Sequence, residues 1–196
     1  DYTRCLILRM RAVPSLDSTA LGALELAVLT TDPGEDGVIN VLMIGNSFCN
    51  YYVQELYGLL NEDLPEGINE VRIYNVYYSG CDLSQHHEWW LNGEANYHVY
   101  RVDKTVTTKG EDGRIKLAPV GEWTLEMALA QENWDYISIQ SSLDEVDYIN
   151  GNSADNIALI APHAEGLLSR MYSLFPNAQF LWQRTWFFEI GRVNSA

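Results

Sequence analysis

The fold is decided by the stretch Val38-Ile39-Asn40-Val41-Leu42-Met43-Ile44, which runs directly into Gly45-Asn46-Ser47. A near-continuous apolar run of this length is typical of a strand that is buried on both faces of a parallel sheet. Beyond the serine, apolar and aromatic residues recur at four-residue spacing and predict a helix: Phe48, Tyr52, Leu56 and Leu60. A buried strand, a short turn and a helix in this order predict the first half of a βαβ unit.

Three further buried strands follow along the chain. We predict them at residues 71–77, 134–140 and 179–183, where apolar and aromatic residues are concentrated. Between the last two strands, apolar positions at helical spacing predict a helix over 157–171 that starts or kinks at Pro162. Strands that alternate with helices imply a doubly wound, parallel α/β sheet.

Two segments fall outside this alternation. Residues 1–37 contain two apolar runs around a turn and end in a polar Pro/Gly stretch at 31–37. We therefore predict an N-terminal β extension, or the end of an accessory β unit, before a main domain at 38–196. Residues 97–120 have strand character around a strong turn at 109–113, which predicts a β-hairpin inserted over the carboxyl edge of the sheet.

The charge of the chain limits its partners. Among its 196 residues, 12 basic side chains against 27 acidic ones give a formal charge of −15. This balance argues against nucleic acid and anionic membrane surfaces as partners. Because no apolar run approaches the roughly 18 residues of a transmembrane helix, we expect no membrane span. The acidic, aromatic-rich composition and a start that does not look native predict a secreted or periplasmic protein trimmed of its leader.

Cysteine and histidine spacing gives no sign of a metal centre. The cysteines are odd in number and none forms a CxxC pair: Cys5, Cys49 and Cys81. None of the four histidines stands at zinc-like spacing from another ligand. The turn after the first strand also lacks a phosphate-binding run of Ser, Thr and Gly, so we predict no metal and no organic cofactor.

Three loops leave predicted strands at the edge where an open α/β sheet binds its ligand. The first carries Ser47, a hydroxyl at the start of a helix, which could act as a nucleophile or as a simple N-cap. The second carries Gly80, whose backbone N–H is not shielded by a side chain because glycine has none. The third begins with Gln140, whose side-chain amide can donate a hydrogen bond. A hydroxyl, a bare N–H and an amide at neighbouring strand ends predict an oxyanion hole.

Further residues on these loops are predicted to contact substrate. They are Asn46, Tyr78, His86 and Ser141. The aromatic rings are suited to stacking on sugars, although aromatic side chains also serve core packing. His86 could also stand in for a catalytic base, but such a base needs hydrogen-bond reach that a sequence does not show. The alternative is a helix residue that holds a loop or touches substrate.

The three loops together resemble a known enzyme family. Residues 41–48 are similar to the first block of the SGNH (GDSL-like) hydrolases, with Asn46 where many members have Asp. Residues 79–83 resemble the second block around its glycine, and 134–140 resemble the third-block strand, with Gln140 near the usual asparagine. The Gly-Cys-x-Leu-x-x-His pattern beginning at Gly80 resembles a poorly characterised branch that carries the sequence GNSF.

The resemblance implies a three-layer α/β/α, flavodoxin-like hydrolase. Ser47 would be the nucleophile, and the N–H groups of Ser47 and Gly80 with the side chain of Gln140 would form the oxyanion hole. Such enzymes cleave esters, often acetyl groups on carbohydrates or acyl groups on lipids, through an acyl–serine intermediate. The expected activity is therefore deacylation of a carbohydrate or other small ester.

One element of that family's pattern is missing. The catalytic Asp-x-x-His follows a fifth strand in the family, whereas this sequence has no histidine after His163. We expect this pair to lie beyond Ala196. The alternatives are a base from elsewhere in the chain and a non-catalytic carbohydrate-binding domain on a hydrolase scaffold.

Overall fold

A seven-stranded, mostly parallel sheet forms the centre of the structure, a computed structural model that describes residues 5–9, 36–140 and 153–184. These residues form nine strands and five helices. In chain order they are β1 (Cys5–Arg9), β2 (Val38–Gly45), α1 (Ser47–Asn50), α2 (Val53–Leu60), β3 (Glu70–Tyr77), α3 (Leu83–Asn92), β4 (Tyr97–Val102), β5 (Thr108–Lys109), β6 (Ile115–Lys116), β7 (Pro119–Trp123), α4 (Leu125–Leu129), β8 (Tyr136–Gln140), α5 (Ser153–Leu174) and β9 (Gln179–Arg184).

The strand order of the main sheet is β1-β9-β8-β2-β3-β4-β7. Pairing is parallel from β1 through β3, and it becomes antiparallel between β3 and β4 and between β4 and β7. The chain moves from β2 to β3 on one side and later returns to the other side of β2 with β8. The order of the sheet therefore reverses at β2, the place where open α/β sheets form a crevice at the carboxyl ends of their strands.

Helices cover both faces of this sheet. On one face, Ile39, Val41 and Met43 of β2 pack in a cluster with residues of α1 and α2. On the other face, Leu42 and Ile44 pack with residues of α3, α4 and α5. Consecutive residues of β2 thus point into two separate cores, which explains why the strand is apolar almost without interruption. The predicted mixed α/β architecture with a mostly parallel sheet is confirmed.

The four strands predicted from apolar runs are all present, but the helices differ in detail. The single helix predicted after Ser47 is two helices, because the backbone of Tyr52 leaves the helical conformation between α1 and α2. The helix predicted over 157–171 is the longer α5, and Pro162 lies inside it rather than at its start.

The predicted position of the inserted hairpin is wrong. Residues 97–102 form β4, which pairs with β3 along its length, so this segment widens the sheet. The small β5–β6 hairpin comes after the other end of β4, where the backbone N–H of Lys104 donates to Glu70 Oε1 (2.6 Å) at the start of β3. The β5–β6 hairpin therefore lies near the edge of the sheet where the parallel strands begin, and not near the edge where they end. Tyr97, Val99 and Val102 are fully buried, and this burial favours a strand within the sheet.

The N-terminal segment contributes β1 to the same sheet. Cys5–Arg9 pairs in parallel with β9 and forms one edge of the sheet. The second arm of the predicted N-terminal hairpin, at 22–30, lies outside the described residues, as does most of the polar stretch at 31–37.

Candidate active site

The carboxyl ends of β2 and β8 meet in a reciprocal pair of side-chain contacts. The backbone N–H of Asn46 donates to Gln140 Oε1 (3.1 Å), and Gln140 Nε2 donates to Asn46 Oδ1 (3.0 Å). Both residues are almost completely buried, at 2% and 0% exposure. Because these contacts lie where the strand order reverses, Asn46 and Gln140 form the floor of the expected crevice.

The loop after β3 is bound to the same point. The Asn46 side chain donates from Nδ2 to the carbonyl oxygen of Cys81 (3.0 Å), and the backbone N–H of Tyr78 donates to Gly45 O (3.2 Å). Between these two anchors lies Gly80, which is exposed and has a φ of +67°. This left-handed conformation favours glycine and lets the turn present its backbone without a side chain.

Ser47 is the first residue of α1, and Asn46 is the N-cap. Asn46 Oδ1 accepts a hydrogen bond from the N–H of Phe48 (3.1 Å). Ser47 itself is half-buried. The N-cap alternative for Ser47 is therefore wrong, because its neighbour performs that role and the Ser47 hydroxyl is not needed to cap the helix.

The space next to Gly45 is filled by Gln140 and Cys49. A Cβ atom at Gly45 would stand 2.6 Å from Gln140 Oε1 and 2.9 Å from the Cys49 sulfur, so only glycine fits there. The Cys49 thiol donates to Asn75 Oδ1 (3.2 Å). Burial raises the pKa of this thiol well above its usual value, which keeps it neutral and unsuited to act as a nucleophile.

His86 lies beneath the Gly80 turn and has no exposed surface. Its Nδ1 is 2.8 Å from the Tyr97 hydroxyl and 3.5 Å from the Cys81 sulfur, and its ring stacks on that of Tyr97 at 5.5 Å. Burial lowers the pKa of His86 to about 4, so the ring is neutral at pH 7. This placement differs from the predicted substrate contact and fits the alternative, a helix residue that holds a loop.

Aromatic rings lie near the carboxyl end of β3, at the edge of the sheet where the crevice is expected. Tyr78 is 36% exposed and packs edge-to-face on Trp89, with ring centroids 4.8 Å apart. On the neighbouring strand ends, the Tyr77 ring lies 6.4 Å from that of His98 and 6.1 Å from that of Tyr100. These half-buried rings are available for contact with an apolar face of a ligand.

The structure thus brings five of the predicted site residues to one edge: Asn46, Ser47, Tyr78, Gly80 and Gln140. Ser141 lies outside the described residues. Gln140 is fully buried and exchanges two hydrogen bonds with Asn46, whereas the sequence predicted a direct oxyanion donor. It fits a residue that positions Asn46.

Sequence reasoning did not predict the role of Asn75. This residue is fully buried, accepts from the Cys49 thiol and donates to Asn50 Oδ1 (2.7 Å). It thereby ties β3 to α1. A polar residue inside the apolar run of 71–77 was the available signal, because a buried amide needs hydrogen-bond partners.

The described residues offer neither a cluster of three metal ligands nor a helix that could span a membrane. Nowhere in 5–9, 36–140 and 153–184 do three or more His, Cys, Asp or Glu side chains come together as metal ligands. In the same part of the chain, none of the helices is long and apolar enough to cross a membrane.

Comparison with known proteins identifies the family but not an activity. A crystal structure of a DUF4886 family protein from Bacteroides uniformis ATCC 8492, at 1.50 Å resolution, is similar, with a TM-score of 0.59 and 28% sequence identity. The match covers 81% of this chain and 54% of that protein, so the chain spans about half the length of its structural relative. No curated protein matches the chain. The model of the DUF4886 family, described as a domain of unknown function, matches residues 40–189, and the chain therefore belongs to this family.

Proposed function

We propose that this chain forms the core of an SGNH-type serine esterase that deacylates a carbohydrate or another small ester. The proposal rests chiefly on one observation, the way Asn46 ties three loops together. Its side chain and backbone bind Gln140 at the end of β8, and its side chain also binds Cys81 after β3. Asn46 itself comes directly before Ser47. A nucleophile and an adjacent bare N–H at one sheet edge are what acyl transfer from an ester requires.

The strand order supports the same proposal. In space, β3-β2-β8-β9 corresponds to a flavodoxin-like order of 2-1-3-4, whose ligand crevice lies between the first and third strands. Those strands are β2 and β8 here, and their ends carry Asn46 and Gln140. The fifth place in the order is taken by β1, which comes from the N-terminal segment.

In the proposed reaction, Ser47 Oγ attacks the ester carbonyl carbon and loses its proton to a base. The backbone N–H groups of Ser47 and Gly80 hold the oxyanion of the tetrahedral intermediate. Collapse of the intermediate breaks the carbon–oxygen bond to the alcohol, which takes the proton and leaves an acyl–Ser47 ester. Water then attacks this ester, releases the acid and restores the hydroxyl.

The base in this scheme is the Asp-x-x-His pair that the family resemblance predicts. The described histidines have other contacts: His86 with Tyr97, His87 with His163, and His98 with Tyr77. Within this scheme, Gln140 and His86 are positioning residues. Gln140 acts through Asn46, and His86 acts through Cys81 on the turn that carries Gly80.

A fluorophosphonate probe tests the nucleophile in the full-length protein. Wild type is expected to be labelled covalently on Ser47, and Ser47→Ala is expected to lose the label. Ser173→Ala is the matched control, because Ser173 is exposed on α5 and its hydroxyl bonds only the helix carbonyl of Ser169 (2.8 Å) among the described residues. Equal labelling of wild type and Ser47→Ala would show that the assignment of the nucleophile is wrong.

A second candidate function is carbohydrate binding without catalysis. The aromatic rings near this edge of the sheet favour it, because the faces of Tyr and Trp stack on sugar rings. This candidate predicts that glycan binding persists in Ser47→Ala and that the full-length protein does not hydrolyse aryl acetates. Either function fits a protein that works outside the cytoplasm, which is the location we propose.

A further inference from the structure

Two histidines from different helices face each other on the side of the sheet that carries α3 and α5. His87 on α3 and His163 on α5 are both half-buried, and their Nδ1 atoms are 3.2 Å apart. The ring centroids are 5.4 Å apart and the ring planes cross at 76°. Because the centroids are farther apart than the two nitrogens, each ring presents its Nδ1 atom to the other.

The position of the His87 ring depends on a glycine in α5. A Cβ atom at Gly166 would lie 2.2 Å from His87 Nε2, so any larger residue would push the ring away. Gly166 comes three residues after His163 and therefore lies on the same face of α5. One side of the His87 ring thus rests against α5 at Gly166, while its Nδ1 atom faces His163.

We propose that His87 and His163 form a binding site for a divalent transition-metal ion, with Zn²⁺ as the fitting ion. Two nitrogens at about 2.0–2.1 Å from a tetrahedral Zn²⁺ are about 3.3 Å apart, close to the separation observed here. Imidazole nitrogen is a ligand that Zn²⁺, Cu²⁺ and Ni²⁺ accept readily. No third His, Cys, Asp or Glu of the described residues joins the pair. In the proposed site, water takes the remaining coordination positions.

Without metal, the same two atoms make an N–H···N hydrogen bond in which one Nδ1 carries the proton. Metal binding replaces this hydrogen bond, because both Nδ1 lone pairs then point to the ion. The ring that donated carries its proton on Nε2 instead, so two neutral imidazoles remain and the proton count is unchanged. The bound ion joins α3, which begins directly after the Gly80 turn, to the long helix α5.

Zinc titration of the full-length protein by calorimetry tests the site. His163→Gln is the informative variant, because a glutamine amide retains a hydrogen-bond partner for His87 but is a poor zinc ligand. His98→Gln is the control, since His98 is also half-buried but lies on β4 outside the pair. Wild type and the control are expected to bind one Zn²⁺ per chain. His163→Gln is expected to bind at least about 10- to 100-fold more weakly.

A second measurement guards against a variant that merely unfolds. Cu²⁺ bound to the wild type should show electron paramagnetic resonance couplings from two imidazole nitrogens, and His87→Gln or His163→Gln should reduce them to one. The proposal is overturned if wild type takes up no Zn²⁺, if the pair variants bind as tightly as His98→Gln, or if Cu²⁺ couples to fewer than two imidazoles of the wild-type pair.

Discussion

Gly45 determines the geometry of the candidate site at the scale of a single residue. Its missing side chain makes room for the amide of Gln140 and the thiol of Cys49, both of which would lie under 3.0 Å from a Cβ atom. The Gln140 amide in turn holds Asn46 at both its backbone N–H and its side-chain oxygen. A methyl group at position 45 would therefore displace the Gln140 side chain. Because Gln140 holds Asn46, this displacement would also shift Ser47.

Gly45→Ala is expected to lower the free energy of unfolding by about 1–3 kcal/mol, the usual cost of overpacking a filled core. The matched control is Gly58→Ala, because a Cβ at Gly58 in α2 meets no atom within 4 Å. That substitution is expected to stabilise the protein by about 0.5–1 kcal/mol, as alanine favours the helix. Urea unfolding of both variants measures the difference, and equal effects would contradict the packing described around Gly45.

Capping at the start of α1 shows what local sequence leaves undecided. Asn46 and Ser47 are adjacent, and both asparagine and serine are favoured N-caps, so the sequence predicted a functional loop but not which residue caps it. The deciding contact comes from Gln140, which is 94 positions away along the chain. Only the folded sheet brings this amide to Asn46 and leaves the Ser47 hydroxyl out of the capping role.

At the scale of an element, the start of α3 is held by a capping box. Asp82 accepts from the backbone N–H of Gln85 (2.8 Å), and the Gln85 side chain accepts from the N–H of Asp82 (3.1 Å). Asp82 also accepts from the Ser84 hydroxyl (2.7 Å). Because this box follows Gly80 and Cys81 directly, it fixes both the helix and the turn that presents the Gly80 N–H.

Asp82→Ala is expected to lower the free energy of unfolding by about 1 kcal/mol, since it removes the cap and leaves helix N–H groups without an acceptor. Hydrogen exchange of the first turn of α3 should become faster. Asp82→Asn retains the acceptor oxygen and is expected to restore most of the stability. If Asp82→Asn were as unstable as Asp82→Ala, the contribution would come from the charge of Asp82 and not from its hydrogen bonds.

Element prediction succeeded for strands with two buried faces and was less accurate at the edge of the sheet. The stretch 38–44 was recognisable because both of its faces enter apolar cores. In β4, half-buried His98 and Tyr100 alternate with buried Tyr97 and Val99, a pattern that suits a hairpin arm and a sheet strand equally. What decides its place is pairing with β3, which the sequence does not contain.

At the scale of the whole molecule, long-range contacts account for what the sequence did not predict. The four histidines gave no metal-ligand spacing, yet His87 and His163 meet across 76 positions when α3 packs on α5. The predicted site loops, in contrast, could be grouped in advance, since parallel strands all end at one edge. The order of the parallel strands was therefore enough to predict that the loops share one edge. The packing of α3 on α5, which brings the two histidines together, was visible only in the folded structure.

The pH dependence of global stability reports on the buried His86. Its pKa is about 4 in the folded protein and about 6.5 in an unfolded chain. Well above pH 6.5 the ring is neutral in both states and its contribution to the free energy of unfolding is constant. As the pH falls from 6.5 toward 4, the unfolded chain binds a proton that the folded protein does not. The free energy of unfolding is therefore expected to fall by about 3 kcal/mol over this range.

Comparing wild type with His86→Gln isolates this effect from the carboxylates, which titrate in both proteins. Glutamine retains a hydrogen-bonding group for Tyr97 but does not titrate, so its unfolding free energy should depend less on pH between 6.5 and 4. The gap between the two proteins should then narrow toward acid. Parallel curves for wild type and His86→Gln in urea unfolding would mean that His86 is protonated as easily in the fold as in the unfolded chain.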